Sequence, residues 1–297
     1  TAVQVLKDKY PTSDSDQACA AGERATTQIG KNGRNKAAMF RFNPGKAGKV
    51  FPPKHPYFKA PEEAKRAVED LAKTQSSPLG TQAITDDKSL SAAIDGLKSD
   101  WFKRGFKEIK TETNPRNNGS TNLNGTIWLI PEIKEKCISG LEKLRTGKDC
   151  TKDEEKAIAT LWHEITHNRN EKGMMKITPK QTQYMETANE FVARKTLPEF
   201  YSKTGGTMKY PEFMSDRDNT GYNRWVKKYQ QAIADHKLDE AKVLETVRKG
   251  LFEESVDSQK ETLKRGLLEG SKTIDENGKE KYSLTKREAS NIVEGLF

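Results

Sequence analysis

Two of the four histidines in the chain fall in one pentapeptide, His163-Glu164-Ile165-Thr166-His167. On a helix, positions i and i+4 lie one turn apart on the same face, so both imidazoles can reach one metal ion. The carboxylate of Glu164 then stands beside the metal's open position, where a water would bind. Two neutral nitrogen ligands, a general base and room for a further ligand are what zinc-dependent hydrolysis requires. The pattern H-E-x-x-H is short and arises by accident in about one chain in a hundred of this length, so its surroundings decide its weight.

Those surroundings predict a helix. Thr151 and Glu154 form a T-x-x-E capping box, and Ile158, Leu161, Trp162 and Ile165 recur at three- and four-residue spacing as a face to bury. Asn168, Asn170 and Gly173 supply the stop. A third ligand follows by elimination. The longer histidine pattern with Gly three residues after the second histidine and His three further on is absent, since those places hold Asn170 and Gly173. His55 and His236 are distant and carry no local ligand pattern. A second helix is predicted from Thr178-Pro179-Lys180-Gln181, capped by Thr178 and running to about Leu197, where Pro198 should interrupt it. On it Glu186 and Glu190 are four apart and share a face, opposite Met185, Ala188, Phe191 and Val192. One carboxylate can take the metal while the other hydrogen-bonds a ligand histidine.

With these residues in place, the chain resembles the gluzincin group of zinc metallopeptidases, in which H-E-x-x-H precedes a helix that bears a glutamate ligand. His163, Glu164 and His167 match directly. Glu186 lies at the H-E-x-x-H-x(18)-E spacing, similar to the zinc aminopeptidases. The pair Asn189-Glu190 instead resembles the Asn-Glu of thermolysin-like enzymes, at a slightly longer spacing. The resemblance implies Glu186 as third ligand and Glu190 as its neighbour behind a histidine, or as the alternative ligand; the group usually has Asp in that second place. The stretch Glu186 to Pro198 also resembles a helix of metallopeptidases that cleave phage repressors. Residues 162–169 and 188–194 resemble zincin domains attached to head-morphogenesis proteins of phages and mobile elements. The likeness spans residues 107–200, about a third of the chain.

The elements that must position these residues are read from the rest of the sequence. The 297 residues are 33% hydrophobic and 32% charged, with a mean hydropathy of −0.90, enough apolar content for one core with many solvated helices. No apolar run reaches membrane-span length, and no signal-peptide pattern opens the chain. It begins at Thr1 rather than Met, as a processed or excised product would. Cys19, Cys137 and Cys150 have no C-x-x-C spacing and read as reduced thiols, which suits the cytosol; the phage resemblance adds a virion-associated place as an expectation, and either is favoured over secretion.

Residues 1–60 read as an extended basic arm. Between Arg24 and Pro61 there is no acidic residue, and nine lysines and arginines there equal the net charge of +9. Phe40, Phe42, Phe51, Tyr57 and Phe58 are interleaved with them, a combination suited to single-stranded nucleic acid or to anchoring the arm on a protein. Helices are predicted near 61–74, 87–104 and 131–145, with extended stretches at Phe106–Thr113 and Thr126–Ile130 joined by a turn-rich segment. The strand around Thr126, Ile127 and Trp128, or its partner, is the candidate to pair with an extended substrate.

The expected architecture is α+β: a predominantly helical, zincin-like metallopeptidase core at 61–203 with a small sheet, the extended N-terminal arm, and a charged helical part at 204–297. The expected activity is peptide hydrolysis on a peptide or protein substrate. One Zn2+ per chain would be held by His163, His167 and Glu186, with Glu164 as general base. Arg194, Tyr201, Tyr222 and His236 are the candidates to stabilise the oxyanion. Two other readings use the same residues differently. One is a catalytically silent zinc-binding docking component of a virion or mobile-element assembly; the other is a nucleic-acid-binding accessory protein that works through residues 24–61.

Overall fold

The computed structural model describes residues 77–97, 101–113, 118–122, 124–172, 177–216 and 222–297. The expected arm, the helix expected near 61–74, Cys19 and His55 lie outside them. The described residues belong to one compact unit, Lys73–Phe297, and the fold is α+β and mostly helical.

Leu90, Ala93, Ile94 and Leu97 form the buried stripe of α1 (Asp87–Leu97). The helix predicted to reach residue 104 does not extend to Trp101, which instead folds into the core against Trp162 and Phe200. Three short strands follow: β1 (Glu108–Thr111), β2 (Gly119–Thr121) and β3 (Thr126–Leu129). Their order is β1-β3-β2, with β3 parallel to β1 and antiparallel to β2. β3 is therefore the central strand, bonded on both sides. This corrects the expectation for Thr126, Ile127 and Trp128, because a strand with both edges occupied has no backbone groups left to pair with a substrate.

Pro131 opens α2 (Pro131–Arg145) at its first position, where a missing N–H costs nothing. α3 (Lys152–Asn168) starts at the expected capping box: the Glu154 amide donates to Thr151 Oγ1 at 3.3 Å, and the Thr151 amide donates to Glu154 Oε2 at 2.7 Å. α4 (Pro179–Thr204) starts at a second box between Thr178 and Gln181. It does not stop at Pro198. The proline removes one helical hydrogen bond, but continuing the helix buries Phe200, Tyr201 and Thr204 almost completely, and burial of two aromatic rings outweighs that loss. The helix ends at Gly205, whose φ of 76° is the left-handed conformation that glycine adopts without a Cβ clash.

Beyond it come α5 (Phe213–Asp216), α6 (Asn223–Asp235), α7 (Glu240–Glu253) and α8 (Gln259–Gly270). A hairpin of β4 (Lys272–Ile274) and β5 (Glu280–Tyr282) then leads into α9 (Lys286–Glu294). The segment predicted as helical with a break near 276–278 therefore contains a two-stranded element around that break. Its Asn277-Gly278 turn carries the signal, but strands of three residues show no readable alternation.

Two hydrophobic clusters fill the unit. The first gathers α1, the sheet, α2, α3 and the C-terminal half of α4; the second gathers α6 to α9 and the N-terminal half of α4. α4 thus lends Leu197 and Phe200 to one cluster and Ala188 and Phe191 to the other. α3 and α4 are locked side by side by two buried bonds: Trp162 Nε1 donates to Thr196 Oγ1 at 3.0 Å, and Asn189 Nδ2 donates to the His163 carbonyl at 3.0 Å. Among the described residues, no helix is long and apolar enough to cross a membrane.

Candidate metal centre

The capping box of α3 fixes where that helix begins, and the apolar face with Ile158, Leu161, Trp162 and Ile165, all buried, fixes its rotation. His163 and His167 are then turned toward α4, and Glu164 toward β2. The capping box and Pro179 do the same for α4, and Glu186 and Glu190 face back. All five side chains are buried or nearly so.

His163 Nε2 and His167 Nε2 are 3.1 Å apart, and Glu186 Oε2 lies 3.3 Å from the first and 3.4 Å from the second. The three atoms make a nearly equilateral triangle. Ligand bonds of about 2.0–2.1 Å to a tetrahedral ion place neighbouring donor atoms about 3.3 Å apart, so one face of such a tetrahedron is already assembled. Glu186 Oε2 is also buried without a hydrogen-bond partner, and a buried carboxylate oxygen in that state is costly unless a cation meets it. The cluster could hold a metal ion.

Behind the triangle, His163 Nδ1 lies 2.7 Å from Glu190 Oε2. With Nδ1 as donor to this carboxylate, Nε2 presents its lone pair to the centre of the triangle. Glu190 in turn accepts from Arg194 Nε at 2.7 Å, and Arg194 continues through Nη2 to Asn223 on α6. The two glutamates take separate places: Glu186 joins the two histidine Nε2 atoms, and Glu190 stands behind His163.

Electrostatics follow from this packing. Burial disfavours the charged imidazole of His163, yet the facing carboxylates of Glu186 and Glu190 win and hold its pKa well above the usual histidine value. Burial works against the charge on Glu186 as well, but the neighbouring His167 and His163 pull its pKa down to about 2. Glu164 has no such compensation. Burial raises its pKa, with the carboxylates of Glu186 and Glu190 adding to the rise against the two histidines.

Strand β2 lies against Glu164. A Cβ placed on Gly119 would sit 3.0 Å from Glu164 Oε1 and 3.1 Å from its Cγ, so the backbone approaches closely only because residue 119 has no side chain. Asn168, expected merely to end the helix, holds this arrangement together. Its Nδ2 donates to Thr121 Oγ1 at 2.6 Å and to the Glu164 carbonyl at 3.1 Å, while its Oδ1 accepts from the Gly125 amide at 3.1 Å. Sequence reading passed over both β2 and this clamp; three residues bearing small side chains carry no periodic signal.

The four oxyanion candidates separate cleanly. The ring of Tyr222 stacks on that of His163, with centroids 6.0 Å apart and planes 5° from parallel. Its phenol is held protonated by burial and then by the charges of Glu186, Glu164 and Glu190. Arg194 is engaged behind His163. Tyr201 is buried in the first cluster, where burial and then Cys150 and Glu155 raise its pKa. His236 follows the last turn of α6, away from the triangle. Only Tyr222 of the four stands beside the triangle.

Compared with protein-family models, curated proteins and solved structures, the chain matches none.

Proposed function

We propose that this protein is a zinc-dependent peptidase of the gluzincin type, with a zincin-like core made by α3, α4 and the three-stranded sheet. The observation that carries the reading is the triangle of His163 Nε2, His167 Nε2 and Glu186 Oε2 with Glu164 beside it. Two imidazoles and one carboxylate are a donor set that suits zinc and leaves a fourth place open. Bound there, zinc would supply Lewis acidity and lower the pKa of a water at that place.

The chain's own residues perform the remaining tasks. Glu164 takes the proton from the attacking water and returns it to the departing amine. Burial raises its pKa, the direction that favours a carboxylate holding the proton between the two transfers. Glu190 keeps His163 in the ligating tautomer and orients its ring. Among the described residues β2 has β3 on one side only, so its other edge would offer backbone groups to an extended peptide that runs past Glu164. Tyr222, protonated and beside His163, is placed to donate to the oxygen that becomes negative.

The test is metal analysis of protein purified without added zinc, followed by peptide-library cleavage with wild type and Glu164→Gln. The reading expects about one zinc per chain in both proteins, with cleavage lost by a factor of about 10² to 10⁴ in the variant. Equal zinc and equal absence of cleavage in both would favour a silent metal-binding role. Absence of zinc, even after titration, would overturn the reading.

A further inference from the structure

A second concavity, of about 410 Å³, lies between α4 and α6 and is lined by Arg194, Lys195, Met214, Lys227, Gln230 and Gln231. Three of these carry positive charge, two carry amides, and none is acidic. Asn223, Lys227 and Gln230 occupy positions i, i+4 and i+7 of α6, so they form one face of that helix. Asn223 meets Arg194, and the other two extend the same face into the pocket.

The counter-charges leave donors over. Lys195 is paired with Glu240 on α7 at 2.6 Å, where both side chains are partly exposed. Arg194 donates to Glu190, Asn223 and the Met214 carbonyl; a guanidinium has five N–H groups, so two remain. Gln231 gives an N–H to Asp235 at 2.6 Å. None of the ion pairs formed among the described side chains involves Lys227. A concave site with uncompensated lysine, spare guanidinium hydrogens and amides selects a ligand rich in acceptors and negative charge.

We propose that this pocket is a binding site for a small dianion, bearing either a phosphate group or paired carboxylates, with Lys227 as its principal charge. The site is separate from the metal triangle but not remote from it: Arg194, in the pocket wall, is two hydrogen bonds from His163 by way of Glu190.

The experiment is calorimetric titration of zinc-loaded and chelator-treated protein with inorganic phosphate and, separately, with glutarate. The same titrations are run on Lys227→Glu, Lys195→Ala and the distant control Lys264→Ala. The expected result is saturable binding of at least one probe in both metal states. The apparent dissociation constant should rise about tenfold or more in Lys227→Glu, rise less in Lys195→Ala, and stay unchanged in Lys264→Ala. Preference for phosphate over glutarate, or the reverse, tells which group the natural ligand carries. Either of two results would overturn the proposal. One is the absence of saturable binding by both probes; the other is binding that survives Lys227→Glu but disappears with the zinc, which would place the anion on the metal.

Discussion

Glu190 and His163 meet through a single 2.7 Å hydrogen bond from the imidazole Nδ1, and that bond decides which of the two facing glutamates can serve as a metal ligand. Glu190 is committed to the far side of the ring, and Glu186 is left with an unpartnered oxygen at the Nε2 side. The two substitutions should therefore separate. Glu186→Ala is expected to abolish zinc retention, whereas Glu190→Ala should keep zinc but weaken it by about 10- to 100-fold, the usual effect of losing a carboxylate behind a ligand histidine. Competition with a graded series of chelators measures both.

Gly119 gives a way to disturb Glu164, the proposed general base, without touching the triangle. A methyl at this position would press on Glu164 at 3.0–3.1 Å and on Leu129 Cδ2 at 3.1 Å. The expected outcome for Gly119→Val is wild-type zinc content with peptide cleavage reduced about tenfold to a hundredfold, because small misplacements of a reacting group are costly. Unchanged cleavage rates in a folded, zinc-loaded Gly119→Val protein would remove β2 from the site.

The metal-free protein should respond to pH in a defined sense. His163 has a folded pKa above its ordinary value of 6.5, so its contribution to stability is present below that value and is lost as pH rises through the folded pKa. Glu186 is the acid-side counterpart, depressed from 4.5 to about 2; its contribution is present above the ordinary value and lost as pH falls toward about 2. A zinc ion held by the triangle would have to displace the proton on His163, so its affinity is expected to fall as pH is lowered. Melting curves of chelated and zinc-loaded protein between about pH 6 and about pH 9 are expected to diverge as pH increases. Parallel curves would contradict this linkage.

A second pH effect comes from the start of α3. Glu154 is lowered to about 2: burial alone would raise it, but the lysine of Lys143, Ser139 and the Thr151 amide prevail. Substitution by Gln leaves a weaker cap, with a cost of about 1 kcal/mol near neutrality as for other helix caps. Because the folded pKa is depressed, the difference from wild type should be complete above about pH 4.5 and shrink as pH falls toward 2. Thermal denaturation of the two proteins across this range tests it.

The metal helix was legible because its cap, its apolar stripe and its histidines all obey one 3.6-residue period. α4 was legible up to Pro198 for the same reason, and its extension to Thr204 was hidden because the aromatic burial that sustains it depends on α3 and Trp101, distant in sequence. Glu186 and Glu190 could be placed on one face by counting; their different roles needed the distances. The elements that escaped are the shortest. β2 has three residues, and its importance lies in the missing side chain of Gly119. Asn168 read as a helix stop because the partners it holds, Thr121 and Gly125, lie more than forty positions earlier. Tyr222 could not be separated from Arg194, Tyr201 and His236 until the helices were assembled.

The double membership of α4 sets the smallest piece that can stand alone. A chain shortened after Thr204 would keep every ligand of the triangle, yet it would strip Tyr184, Ala188, Phe191 and Val192 of the helices that cover them. The shortened helix would then present an oily stripe to water on the side opposite its carboxylates, inviting self-association. The triangle is therefore not portable as a helix pair: whatever is grafted, swapped or inherited intact must include the helical segment that follows it.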